Sequence, residues 1–421
     1  MKTFASLKIP AYRLYFGALL GQMAAMNMQM VARSWFMYEL TGRASMLGAV
    51  ALAGALPLLS LSLFGGVLAD RVRKKRILIV GQLASALVAL GIAVSISMGT
   101  ITWVHLFVAS LLQGVVMALM MPSRQAIIHE LVGERSLMNA IALNAAAMNL
   151  LRLMAPAFAG FFIALWNIEG VYYIMAALYI FGFLFVLRLP STNAVHESRE
   201  GTLYELRDGL RYIRNNTNVL ALLILTLMAT ILSMPYFFLL PVFTKDILIV
   251  DLSSLGGLTT LPIIGQIILS LGESSARQGL LISISGVGAF TGSLAVASMA
   301  DRRRGLILLL SLITVGGALI VFSVTSSYLL ALLFFIPLGL GQSGRMALSN
   351  TLLQSYTDDA YRGRVMSVYM MEWGITFVGV FFVGVLADYT GVQWAIGGSA
   401  AILVGVALYY VTFTSRIRNL N

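Results

Sequence analysis

Gln22, Met26, Gln29 and Arg33 recur at i, i+4, i+7 and i+11, so on a helix they share one face. Amide, thioether and guanidinium side by side offer donors, acceptors and a fixed positive charge. That is the chemistry of holding a polar or charged small molecule. All four lie in a long apolar run, where a charged group at a bilayer centre costs at least about 2.5–3.5 kcal/mol. The face is therefore expected to look into a central cavity, together with Gln113, Gln342 and Arg345. Glu372 is a carboxylate deep inside such a run, whereas Glu39, Glu169 and Asp388 fall near run ends. Desolvation favours a protonated acid and a nearby guanidinium favours the carboxylate. Glu372 is accordingly the candidate proton-coupling residue, with a fixed ion pair to an arginine such as Arg345 as the alternative. For the polar face of the first run the alternative is interhelical hydrogen bonding. Asn144, Met148 and Arg152 share a further face, read in that structural sense.

Bond-breaking chemistry finds no support in the chain. Cysteine is absent, which removes disulfides and thiolate metal sites. His105 and His129 fall at run ends, and no His/Asp/Glu cluster has metal-ligand spacing. There is no nucleophile–base pair, phosphate-cradling glycine loop or ATP site. No metal or cofactor is expected, and the chain is not read as an enzyme. The 22 methionines and aromatics such as Trp35, Tyr236, Phe237, Phe238 and Trp373 suit an adaptable apolar cavity, although most are expected in packing or facing lipid.

The elements that must position these groups follow from composition. Of 421 residues 59% are apolar and only 11% charged, against about 25% charged in a soluble domain. Most of the surface must therefore face lipid. Apolar runs at about 14–39, 45–69, 76–98, 101–123, 137–165 and 169–188 are followed by six more at about 217–243, 276–299, 305–325, 328–350, 364–387 and 390–413. Each is long enough to cross a hydrocarbon core. In lipid each backbone amide must be satisfied within its segment, so these are helices, with breakers at Thr41-Gly42, Gly99-Thr100 and Thr390-Gly391. With the first residues placed in the cytoplasm, 22 of the 28 Lys and Arg fall inside and only Arg43, Lys245 and Arg277 outside. The net charge of +11 is thereby assigned to insertion and anionic headgroups, not to nucleic acid. The short basic start is read as continuous with a retained first span.

The expected fold is an all-α polytopic membrane protein: twelve transmembrane helices in two pseudo-symmetric six-helix bundles, termini cytoplasmic. The bundles cover 1–188 and 217–421, joined by a polar linker, 189–216. In the linker Leu203, Leu206, Leu210 and Ile213 form the stripe of an amphipathic helix lying along the membrane. A weak internal repeat supports the division: Ala69-Asp70-Arg71 recurs as Ala300-Asp301-Arg302, Gly114 aligns with Gly341, and Arg135 with Arg362. Residues 246–275 are broken by Gly256-Gly257, Pro262 and Gly272 and are expected to form a periplasmic extension that does not span.

Gly66-Val-Leu-Ala-Asp70-Arg71-Val-Arg-Lys74-Lys75-Arg76 resembles the loop 2–3 signature of the major facilitator superfamily, with Arg73 in place of its second glycine. Stretches Arg33–Gly42, Pro122–Gln125, Asn139–Asn144 and Arg362–Ser367 are similar to its enterobactin-exporter-like, transmembrane secretion effector branch. The resemblance covers most of the chain. It implies efflux of siderophores, drugs or other amphipathic compounds. It also implies a conformational latch at Gly66, Asp70 and Arg71, mirrored by Asp301 and Arg302; the bland reading of that cluster is positive-inside charge. Arg152-Leu-Met-Ala155-Pro156-Ala-Phe-Ala-Gly160 is similar to the antiporter motif of span 5, with Ala155 replacing its first glycine, and places Arg152, Pro156 and Gly160 at a bundle interface. Where proton-coupled members carry an arginine on span 4, this chain has Ser110.

The leading expectation is a secondary transporter in a bacterial inner membrane, exporting amphipathic small molecules by alternating access in exchange for protons. Its expected partners are a small-molecule substrate, the lipid bilayer and protons, with the chain acting as a monomer. Metabolite uptake or lipid movement on the same scaffold is the nearest alternative. A receptor or scaffold that does not transport has no need of a wet cavity.

Overall fold

Glycine in left-handed or extended positive-φ backbone marks where helices stop. Gly42 (φ 61°), Gly99 (φ 68°) and Gly391 (φ 86°) follow three helix ends, a conformation that costs a side chain but not glycine. The computed structural model describes residues 4–190, 202–250, 270–299 and 303–420, apart from the side chains of 62–71, 135, 202–207, 373 and 415. The expected latch therefore lies outside the description: Gly66, Asp70 and Arg71 as side chains, Asp301 and Arg302 entirely. So does the centre of the 246–275 extension.

The described chain is nearly all helix. Helices α1 (Pro10–Thr41), α2 (Ala44–Arg71) and α3 (Lys74–Ser97) are followed by one long run, Trp103–Leu187. Non-helical backbone at Gly133 and Asn167 divides that run into α4 (103–132), α5 (134–166) and α6 (168–187). Next come α7 (Thr202–Asn215), α8 (Thr217–Ser233), α9 (Pro235–Val242) and α10 (Ser274–Ser298). The chain continues through α11 (Arg304–Val324), α12 (Tyr328–Ser355), α13 (Arg362–Met370), α14 (Glu372–Thr390) and α15 (Val392–Thr412). Among the described residues, ten helical stretches are long and apolar enough to cross a membrane.

Contacts divide the chain into two units. The first holds α1, α2 from Val50 on, α3 to α6 and the start of α10 through Leu280; the second holds Arg43–Ala49, α7 to α9, α10 from Leu281, and α11 to α15. In the first, α1 and α3 pack on the long run. A Cβ on Gly114 of α4 would overlap the carbonyl of Gly54 on α2, so these backbones touch as only small residues allow. In the second, Gly288 of α10 and Gly339 of α12 make the corresponding close crossing. Gly341, the sequence-aligned partner of Gly114, instead backs onto Ser311 and Val315 of α11.

One boundary differs from the sequence reading. Helix α4 does not stop near Pro122 but continues to 132, because Ile127, Leu131 and Val132 join a buried cluster with Tyr12, Tyr15 and Leu78. The linker helix α7 is docked on the second unit: Asp208 pairs with Arg364 (2.5 Å), Tyr212 stacks on Tyr361 (4.2 Å between centroids), and the Asp358 N–H donates to the Tyr212 hydroxyl (3.0 Å). Also in this unit, the Asp388 carboxylate accepts from the N–H groups of Ala44 (2.7 Å) and Ser45 (3.2 Å), capping the first turn of α2.

Candidate functional site

The i, i+4, i+7 spacing on α1 does put its polar residues on one side, and the first unit closes around them. Gln22 and Gln29 are buried, Arg33 is half-buried, and Met26 remains exposed. Gln22 accepts from Gln82 of α3 (3.4 Å) and lies against the Met120 sulfur of α4 (3.9 Å). Gln113 of α4 is buried and donates to Ser85 of α3 (3.2 Å). One turn before it, Ser110 accepts from Arg33 Nη1 (2.9 Å) and itself donates to the Val50 carbonyl (2.7 Å). Tyr172 and Tyr179 of α6, seven residues apart and both buried, stand within reach of the Arg33 charge. The guanidinium thus has one hydroxyl partner, Ser110, and no carboxylate lies within 4.0 Å of it among the described residues.

The second unit treats its buried arginine differently. Arg345 of α12 donates from Nη1 to Glu372 (2.6 Å) and to Thr230 of α8 (2.9 Å), and from Nε to Gln342 (3.0 Å). Side-chain exposures of 1% and 9% make this a buried ion pair. Thr230 also donates to the Glu372 carboxylate, so one hydroxyl links both charges. Gln342 donates to Ser233 (3.2 Å), and Ser349 accepts from Thr226 (3.1 Å). Glu372 is placed by a break: Met371 separates α13 from α14, leaving the acid as the first residue of a helix whose N–H groups favour negative charge. Glu372 thus contacts Arg345, the arginine named from sequence as its possible partner.

Arg152 is exposed, apart from both clusters, while Pro156 and Gly160 lie close against the start of α10. A Cβ on Gly160 would overlap the Ser275 carbonyl, and one on Gly279 the Pro156 carbonyl. Alongside, Gln278 donates to Ser34 (3.0 Å) and Trp35 to Ser274 (2.8 Å). A cleft of about 230 Å³ lined by Val296, Met299, Arg304 and Thr351 shares no residue with the polar clusters. Among the described residues no group of three His, Cys, Asp or Glu is placed to hold a metal. Sequence reading singled out neither Tyr172 and Tyr179 nor Thr230. The stripe Thr226, Thr230, Ser233 at i, i+4, i+7 was the available signal for the last.

The family profile described as transmembrane secretion effector matches residues 1–420. The chain belongs to that family. It is a branch of the major facilitator superfamily, whose members are transporters and not enzymes. The staphyloferrin A transporter of Staphylococcus aureus is 22% identical over 405 residues, covering 95% of this chain and 94% of the relative. The enterobactin exporter of Citrobacter koseri is 25% identical over 419 residues, covering 95% and 91%. Among solved structures, a nucleoside transporter, NupG, superposes with a TM-score of 0.69 at 15% identity, covering 96% of this chain and 99% of its own. An inward-facing, occupied bacterial homolog of the human lysosomal transporter Spinster gives 0.70 at 13%, covering 99% and 98%. The fold is thus that of major facilitator transporters, and this secretion effector is a multi-pass membrane protein that transports small molecules.

Proposed function

We propose that this chain exports amphipathic small molecules of the siderophore kind across a bacterial inner membrane, by alternating access and in exchange for protons. The carrying observation is a buried polar cluster on otherwise apolar helices in each unit, one around Arg33 and one around Arg345 and Glu372. A scaffold would gain nothing from burying such groups, and relatives over nearly the whole length are named for staphyloferrin A and enterobactin. The finer architecture proposed is twelve spans in two six-helix halves, 1–188 and 217–421, with linker 189–216. In it α4, α5 and α6 count separately, α8 with α9 forms one span, and α13 with α14 forms another. The excess of basic residues on one side supports cytoplasmic termini. The chain is taken to act as a monomer. A latch at Asp70 and Arg71, mirrored by Asp301 and Arg302, and a bundle interface at Pro156 and Gly160 with Arg152 nearby complete the proposal.

Counterflow in proteoliposomes tests it. Labelled staphyloferrin A or enterobactin should exchange across the membrane, and a pH gradient should drive net movement toward the compartment matching the periplasm. Exchange of neither compound, or accumulation only toward the cytoplasmic side, would overturn export in favour of metabolite uptake or lipid movement.

A further inference from the structure

We infer that Arg33 is the anion-recognition group of the first unit and that the transported molecule presents a carboxylate to it. The inference deepens the exporter reading and rests on it for calling the ligand a substrate. Three observations carry it. First, the two arginines are in unlike states: buried Arg345 is neutralised by Glu372 at 2.6 Å, whereas half-buried Arg33 has one hydrogen bond, to a serine hydroxyl, and no carboxylate within 4.0 Å among the described residues. A guanidinium carries five N–H donors in a planar fork that matches the two oxygens of a carboxylate, so most of its capacity is unspent. Second, the Tyr179 hydroxyl, on a side chain 1% exposed and within reach of the Arg33 charge, has no hydrogen-bond partner. A buried hydroxyl left unpaired is costly, and an incoming oxyanion would accept from it. Third, the same polar surroundings hold a further buried orphan, Gln113 Oε1, one turn along α4 from Ser110. An uncompensated cation inside apolar helices is stabilised by a mobile anion where the fold supplies no fixed one.

The probe is citrate, titrated calorimetrically into the full-length protein in detergent, where binding needs no transport. Wild type is expected to bind it saturably. Arg33→Gln should weaken binding by at least about tenfold, and Arg33→Lys, which keeps charge but loses the fork, by less. Tyr179→Phe should weaken it severalfold while leaving the melting temperature unchanged or higher, a combination that mere packing at Tyr179 does not give. On wild type alone, citrate should protect Arg33 from phenylglyoxal, read by peptide mass spectrometry, so the test survives if a variant fails to fold. No saturable citrate binding, or equal affinity in Arg33→Gln, or no protection of Arg33, each overturns the inference. Citrate binding lost in Arg33→Gln, with no siderophore counterflow in wild type, would support the anion site while removing the exporter reading. Intact counterflow with indifferent citrate binding does the reverse.

Discussion

Arg345 and Glu372 hold each other at 1% and 9% side-chain exposure, and that burial sets the cost of changing either one. Glu372→Gln keeps the hydrogen-bonding shape but leaves a buried guanidinium without its counter-charge, a loss of typically about 3–5 kcal/mol. Scanning fluorimetry in detergent should show a lower melting midpoint and reduced folded yield, and Arg345→Met with Glu372→Leu should recover most of it. A Glu372→Gln protein that melts like wild type yet no longer accumulates substrate on a pH gradient would instead make Glu372 the coupling group. This pair was legible in the sequence as one of two options, because charges are rare in apolar runs and few partners existed. The hydroxyls were not legible. Serine and threonine inside helices can be satisfied by their own backbone, as Ser60 is by the Leu56 carbonyl, so nothing in the sequence says which reach across, as Ser110 and Thr230 do.

At the scale of elements, close crossings matter more than propensity. Gly114→Ala places a methyl group into the Gly54 carbonyl, where neither backbone can yield cheaply. Overpacking of this kind costs about 1–3 kcal/mol. The melting midpoint should fall for Gly114→Ala and hold or rise for Gly91→Ala, whose added carbon meets nothing within 4 Å. Equal behaviour of the two variants would rule out the α2–α4 contact as a packing constraint. Turns at Gly42, Gly99 and Gly391 were readable because a positive φ selects glycine. The extension of α4 past Pro122 was not, since hydropathy registers lipid contact and Ile127, Leu131 and Val132 are held by protein. The docking of α7 was equally hidden: Asp208, Tyr212, Tyr361 and Arg364 read as ordinary solvated residues until the fold brings them together.

For the whole molecule the proposed topology makes a direct prediction, helped by the absence of cysteine. Single cysteines placed near Lys8 and Arg416 should react with an impermeant maleimide only from the cytoplasmic side, and ones at Arg43 and Lys245 only from outside. A reversed pattern at either pair would sink the twelve-span arrangement. The unlike pairing of Arg33 and Arg345 has an electrical consequence. The pair on the second unit adds no net charge, whereas Arg33 keeps its charge, and an anion bound there carries its own charge across the membrane. An anion leaving a cell held at an inside-negative voltage moves downhill, gaining about 2.3 kcal/mol per charge per 100 mV, or about a fiftyfold concentration ratio. Voltage alone could then drive export in liposomes clamped by potassium and valinomycin with no pH gradient, and efflux that ignores the clamp would mean that exit is electroneutral.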